Sequence, residues 1–196
     1  MLKLRSLIRD IVDAQIFGPV LAYVFRIEWQ ARGLPHAHML IILQDKILSE
    51  RQVDAVISAE MPDAAADPEL HDLVVTHMLH PRCDVNTQCS CRRDADGKMC
   101  PCVRHYPKSM SRETVIVQDG YPMYRRRGRF LATMRDGTFV GDDWVVPHNA
   151  YLLRRYRCHV NLEVCSSFRC FKYVYKYTFK PPDHTSVSVD EIDAHL

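Results

Sequence analysis

Two histidines stand two residues apart, at His36 and His38, in a segment rich in apolar side chains. On a β-strand, side chains two apart point to the same face, so both imidazoles would converge and could bind a divalent cation. Glu28 and Gln30 share a face on the preceding segment, and a tight hairpin would bring them opposite the histidines. Their oxygens would complete a site for Mg2+ or Mn2+. The alternative for so short a pattern is a merely polar strand face.

A second candidate for chemistry is a pair of tyrosines, Tyr173 and Tyr177. Their spacing of four places both phenols on one face of a helix, one turn apart. A neutral phenol, with a pKa near about 10, is a poor nucleophile. It can still attack a phosphodiester when a cation polarises and positions the phosphate, which would leave a 5′-phosphotyrosine bond and a free 3′-OH. Ordinary packing of an aromatic-rich helix remains the alternative.

The cysteines are concentrated in one segment. Five of the eight lie within twenty residues, and histidines flank them: His80, Cys83, Cys89, Cys91, Cys100, Cys102 and His105. The N-terminus has no secretory signal pattern, so we expect a chain that is not secreted and cysteines that do not form a disulfide framework. Four soft ligands from this set would bind Zn2+ tetrahedrally and organise the segment. The alternative is free thiols in a poorly ordered loop.

Hydrophobic periodicity predicts the elements that must position these residues. A helix is predicted over 2–13, and strands over 20–30 and 36–43 form a hairpin around a turn at 32–34. Helices over 49–60 and 67–79 have Ser49 and Asp67 as predicted N-caps. The later predicted elements are short: strands over 113–117, 121–127, 138–146 and 159–165, and helices over 149–156 and 167–179.

Composition restricts the class of protein. The chain has 196 residues, of which 47% are hydrophobic and 26% charged, as is typical of one soluble globular domain. It contains no apolar run that would predict a membrane span. It also lacks a Gly-rich phosphate loop, so we expect no ATPase or helicase activity in these residues. Arg125, Arg126 and Arg127 stand among aromatic residues, which is typical of single-stranded DNA binding but also of an ordinary exposed hairpin.

Several long segments resemble one family. The stretch VFRIEWQARGLPHAHMLIIL is similar to part of the replication-initiator domain of Helitron transposases, also called the Helitron helicase-like domain. This domain belongs to the HUH endonucleases, which are named for two histidines around a hydrophobic residue. Three further stretches resemble the family in its order and spacing: ETVIVQDGYPMYRRRGR, WVVPHNAYLLRRYRCHVNLEVCSS and FKYVYKYTFK. Together the resemblance covers roughly residues 16 to 180.

The resemblance implies a fold and a set of site residues. The fold would be α+β, a mainly antiparallel central sheet flanked by helices, with a Cys-rich loop as a candidate zinc site. One domain would span 1–182, including a Cys/His-rich insertion at 80–108, and 183–196 would be a loose tail. The implied residues are the metal ligands His36, His38, Glu28 and Gln30, the catalytic Tyr173 and Tyr177, the DNA-binding Lys176, Lys180, Arg125, Arg126 and Arg127, and the zinc ligands His80, Cys83, Cys91 and Cys102.

The resemblance also implies an activity and departures from the family. We expect metal-dependent nicking and strand transfer of single-stranded DNA in the nucleus, as in rolling-circle Helitron transposition. Family members have an upstream strand with a Thr/Asn-Pro-Trp segment and, in full-length relatives, a C-terminal helicase domain. We find neither in this sequence and expect the domain to lack its first strand. Two alternatives are a non-catalytic DNA-binding remnant with a zinc-stabilised loop and a metal-dependent hydrolase that activates water.

Overall fold

The computed structural model describes residues 2–29, 35–81, 102, 104–117, 122–134 and 137–165. The chain divides into two compact units. We call Met1–Lys46 with Phe168–Leu196 the hairpin unit, and Ile47–Ser167 the core unit. Helices and small antiparallel sheets are both present in the described ranges, which confirms an α+β protein.

The hairpin unit follows the predicted order of elements. Helix α1, Leu2–Ile8, continues into a turn of π-helix, Arg9–Asp13, and so confirms the helix predicted over 2–13. Gly18 then turns the chain with a φ of 101°, a conformation that glycine adopts without steric cost. Strand β1, Val20–Trp29, pairs antiparallel with strand β2, Pro35–Leu43. The predicted hairpin is therefore confirmed.

The β1–β2 register determines which side chains share a face. Glu28 lies opposite His36, and Arg26 lies opposite His38. Facing residues of an antiparallel pair project to the same side, so these four polar residues share one face of the hairpin. Large apolar side chains on both strands remain substantially exposed, including those of Leu21, Tyr23, Val24, Phe25 and Ile42.

The first two helices of the core unit begin at the N-caps that the sequence predicts. Helix α2, Glu50–Val56, follows Ser49, whose hydroxyl accepts a hydrogen bond from the Gln52 amide in a capping box. Helix α3, Pro68–His77, follows Asp67, whose carboxylate accepts from the Leu70 amide at 3.1 Å. Helix α4, Ala150–Tyr156, is capped in the same way by the Asn149 side chain.

Helices α2 and α3 both end earlier than predicted. Helix α2 ends before Ile57, whose backbone is extended at φ −124° and ψ 134°. The extended chain lets Ser58 form a β-bridge with His148, in which each amide donates to the other residue's carbonyl at 2.9 Å. Tertiary pairing thus replaces the last turn that the sequence pattern predicted at 57–60.

Strands in the core unit are shorter than predicted. The described part contains β3, Ala132–Thr133, paired with β4, Phe139–Val140, as a second two-stranded antiparallel sheet. Within the predicted strands over 113–117 and 121–127, the structure has isolated bridges, such as Val115 to Met123. The strand predicted over 138–146 is wrong beyond β4, because Asp142–Trp144 forms a turn of 3-10 helix. The described residues at 159–165 also form no strand.

One buried carboxylate explains why the chain turns where a strand was expected. Asp142 accepts hydrogen bonds at 2.7 Å from the amides of Met61 and Gly128. A buried carboxylate needs such donors, and an extended strand would carry it away from them. The expected single central sheet is therefore replaced, over the ranges described, by two separate two-stranded sheets.

The core unit buries two apolar clusters in its described part. The larger one joins α3 and α4 to the segment after β4, with Leu73, Val74, Met78, Val145 and Leu153 at its centre. The smaller one packs α2 against Tyr124 through Val53, Ile57 and Ala59. No helix within the described residues is long and apolar enough to cross a membrane.

Candidate functional site

The hairpin brings two of the predicted metal ligands into contact. Nε2 of His38 lies 3.1 Å from Oε2 of Glu28, and the side chains are 30% and 20% exposed, respectively. Because a carboxylate only accepts, His38 is the donor in this hydrogen bond. The contact is diagonal across the strands, since Glu28 lies directly opposite His36 in the register. The two atoms therefore lie close together, and the side chains that carry them are partly exposed.

This spacing suits a shared cation. Two neighbouring donors on an octahedral Mg2+ with bonds of 2.0–2.1 Å lie about 2.9 Å apart. The 3.1 Å contact between His38 and Glu28 is close to that separation. His36 shares their face but is exposed, and the described ranges contain no group of three or more His, Cys, Asp or Glu side chains that could hold a metal ion. Gln30 lies outside the residues that the structure describes.

Arg26 is a candidate that the sequence-based reasoning missed. It lies opposite His38 and shares a strand face with Glu28. A guanidinium beside a cation site is suited to binding phosphate oxygens. The signal was present in the sequence, because the alternation that puts Glu28 on this face puts Arg26 there as well.

The other predicted catalytic and DNA-binding residues of the hairpin unit cannot be compared with the structure. Tyr173, Tyr177, Lys176 and Lys180 lie outside the described residues. Their roles stay predictions that follow from the sequence and from the family resemblance.

Arg126 does not fit the predicted DNA contact. Its side chain is buried, with 3% exposure. Nη1 donates to the backbone carbonyls of Ala59 at 3.2 Å and Val145 at 2.7 Å, and also to that of Asp142. A buried guanidinium held by three carbonyls cannot reach a phosphate, so Arg126 serves the fold. The basic pattern in the sequence did not reveal this burial.

Arg125 and Arg127 lie closer to the surface, but both are paired with carboxylates. Arg127 makes two contacts of 2.6 Å with Glu60, and Arg125 contacts Glu60 at 3.1 Å and Asp54 at 3.0 Å. Burial favours the protonated form of Glu60, but hydrogen bonds and charge from Arg127 and Arg125 outweigh it and hold the pKa of Glu60 below its ordinary value. DNA binding by these two arginines stays a prediction.

Two of the four predicted zinc ligands, His80 and Cys102, are among the described residues, and their side chains lie close together. Nε2 of His80 lies 3.9 Å from Sγ of Cys102, and both side chains are buried. Burial lowers the pKa of His80, so its ring is neutral near neutral pH. Cys83 and Cys91 lie outside the described residues.

The described cysteines include both free and bonded sulfur atoms. Cys102 and Cys158 are free thiols. Cys165 is disulfide-bonded.

Comparison with known proteins agrees with the family resemblance at the N-terminus. The family model described as "Helitron helicase-like domain at N-terminus" matches residues 1–41. The matched segment includes α1, β1 and both histidines of the hairpin. The resemblance to the Helitron helicase-like domain is thus confirmed over these residues, and it indicates a transposase-related role. A search of curated proteins found no match to the chain.

Proposed function

We propose that the chain is an HUH-type endonuclease that nicks single-stranded DNA and transfers the strand through a 5′-phosphotyrosine intermediate, as in rolling-circle transposition. The observation that carries the proposal is the 3.1 Å contact between His38 and Glu28. These residues share a strand face with His36, and all three lie within the segment that matches the Helitron model.

His38 and Glu28 would hold Mg2+ or Mn2+, with His36 or Gln30 as further ligands. When bound, the cation would polarise the scissile phosphate and neutralise its charge. To coordinate through Nε2, His38 must present the lone pair of that nitrogen, so the neutral ring would carry its proton on Nδ1. Arg26, on the same face, would bind a non-bridging phosphate oxygen.

Tyr173 would make the first attack. Its phenol oxygen bonds to phosphorus, the bond to the 3′ oxygen breaks, and the 5′ phosphate stays on the tyrosine. The proton lost by the phenol is balanced by the proton that the departing 3′ oxygen takes up. Tyr177 would perform the second transfer, and Lys176 and Lys180 would neutralise the phosphates between the two steps.

The test is the covalent adduct itself. Purified chain with Mn2+ and an end-labelled single-stranded oligonucleotide should give a labelled band that survives heating in detergent. The double variant Tyr173→Phe/Tyr177→Phe should give no adduct, whereas Tyr175→Phe, between the two nucleophiles, should leave it unchanged. An adduct that persists in the double variant would refute the assignment of the tyrosines.

A second candidate function is binding of single-stranded DNA without cleavage. One observation favours it: over the described ranges, no third His, Cys, Asp or Glu joins His38 and Glu28 in a group able to hold a metal ion. This candidate predicts an oligonucleotide complex that never becomes covalent and that His36→Ala does not alter. A third candidate, hydrolysis by activated water, predicts cleavage that survives loss of both tyrosines. The same gel distinguishes all three.

A further inference from the structure

We draw no further inference here: the strongest candidate, the exposed apolar part of the hairpin face at Val24 and Ile42, beside Arg26 and His38, carries nothing because the described residues do not show what covers it.

Discussion

The hairpin unit and the core unit use charged side chains in opposite ways. On the hairpin, Arg26, Glu28, His36 and His38 lie on one face of two strands, and the His38–Glu28 pair remains partly exposed. In the core unit, the carboxylate of Asp142 and the guanidinium of Arg126 are buried and hydrogen-bonded to backbone groups. Burial and backbone hydrogen bonds commit Asp142 and Arg126 to the fold, whereas the partial exposure of His38 and Glu28 is what a ligand-binding role would require.

The two units also differ in how their apolar side chains are covered. Leu153 in α4 is 1% exposed, whereas Leu21 in β1 is 66% exposed. A two-stranded sheet is only marginally stable by itself, while packed helices with a shared core support a cooperative unit. We therefore attribute most of the free energy of unfolding of the described residues to the core unit.

The largest predicted effect tests this difference directly. Leu153→Ala should lower the free energy of unfolding by about 2–5 kcal/mol, because it opens a cavity in the packed cluster. Leu21→Ala, the matched substitution at an exposed position, should change it by less than about 0.5 kcal/mol. Chemical denaturation followed by circular dichroism measures both. Equal losses of unfolding free energy in the two variants would contradict the attribution of most of the stability to the core unit.

A smaller effect is predicted for Glu60, whose carboxylate contacts both Arg125 and Arg127. Glu60→Gln should cost about 1–3 kcal/mol, since it leaves Arg125 and Arg127 without their shared charged partner. The matched control is Glu69→Gln, whose partners Arg154 and Arg157 are more exposed and whose loss should cost less than about 1 kcal/mol.

The lowered pKa of Glu60 predicts that the stability of the fold depends on pH in the acid range. The folded-state pKa of Glu60 lies below its ordinary value of 4.5, so its stabilisation is complete above that value. It should be lost as the pH falls through the lower, folded-state pKa. The difference in unfolding free energy between wild type and Glu60→Gln should shrink over this interval. A constant difference would show that the charge of Glu60 is not what stabilises the fold.

The sequence could predict features that depend on nearby residues, but not those that depend on distant ones. Alternation and turn residues predicted the hairpin and hence the common face of His38 and Glu28, because the relevant contacts are between adjacent strands. The N-caps at Ser49 and Asp67 were predicted for the same reason, since capping is local. The burial of Arg126 was not predictable, because its carbonyl partners lie up to 67 positions away in the sequence.

The strand predicted over 138–146 failed for a related reason. Its apolar pattern fits a strand, but Asp142 needs the distant amide of Met61, and the chain turns to reach it. The family resemblance had already placed His80 and Cys102 in one predicted set of ligands. The 3.9 Å contact between their side chains, which are 22 positions apart, needed the structure.

A further predicted stability effect concerns a buried histidine of the core unit. Burial lowers the pKa of His148 below its ordinary value of 6.5, and over the described residues its Nε2 has no hydrogen-bond partner. The unfolded chain therefore takes up a proton first as the pH falls below that value. Stability should decline on acidification from about pH 7 to pH 5, by at most about 1.4 kcal/mol per pH unit.

A pair of variants isolates this effect. His148→Leu removes the titrating ring and should flatten the dependence of unfolding free energy on pH between about pH 7 and pH 5. Val145→Ala removes neighbouring apolar volume and should lower stability by the same amount at every pH in that range. If His148→Leu keeps the wild-type slope, another group is responsible for the acid sensitivity.

The central claim is that the shared face of the hairpin binds the cation required for nicking. The most direct measurement is the Mn2+-dependent rate of covalent adduct formation with single-stranded DNA, compared among His38→Ala, Glu28→Ala and the exposed-site control Leu21→Ala. We predict that the first two variants lose at least about tenfold in rate and that Leu21→Ala keeps the wild-type rate. Wild-type rates in both His38→Ala and Glu28→Ala would contradict the claim.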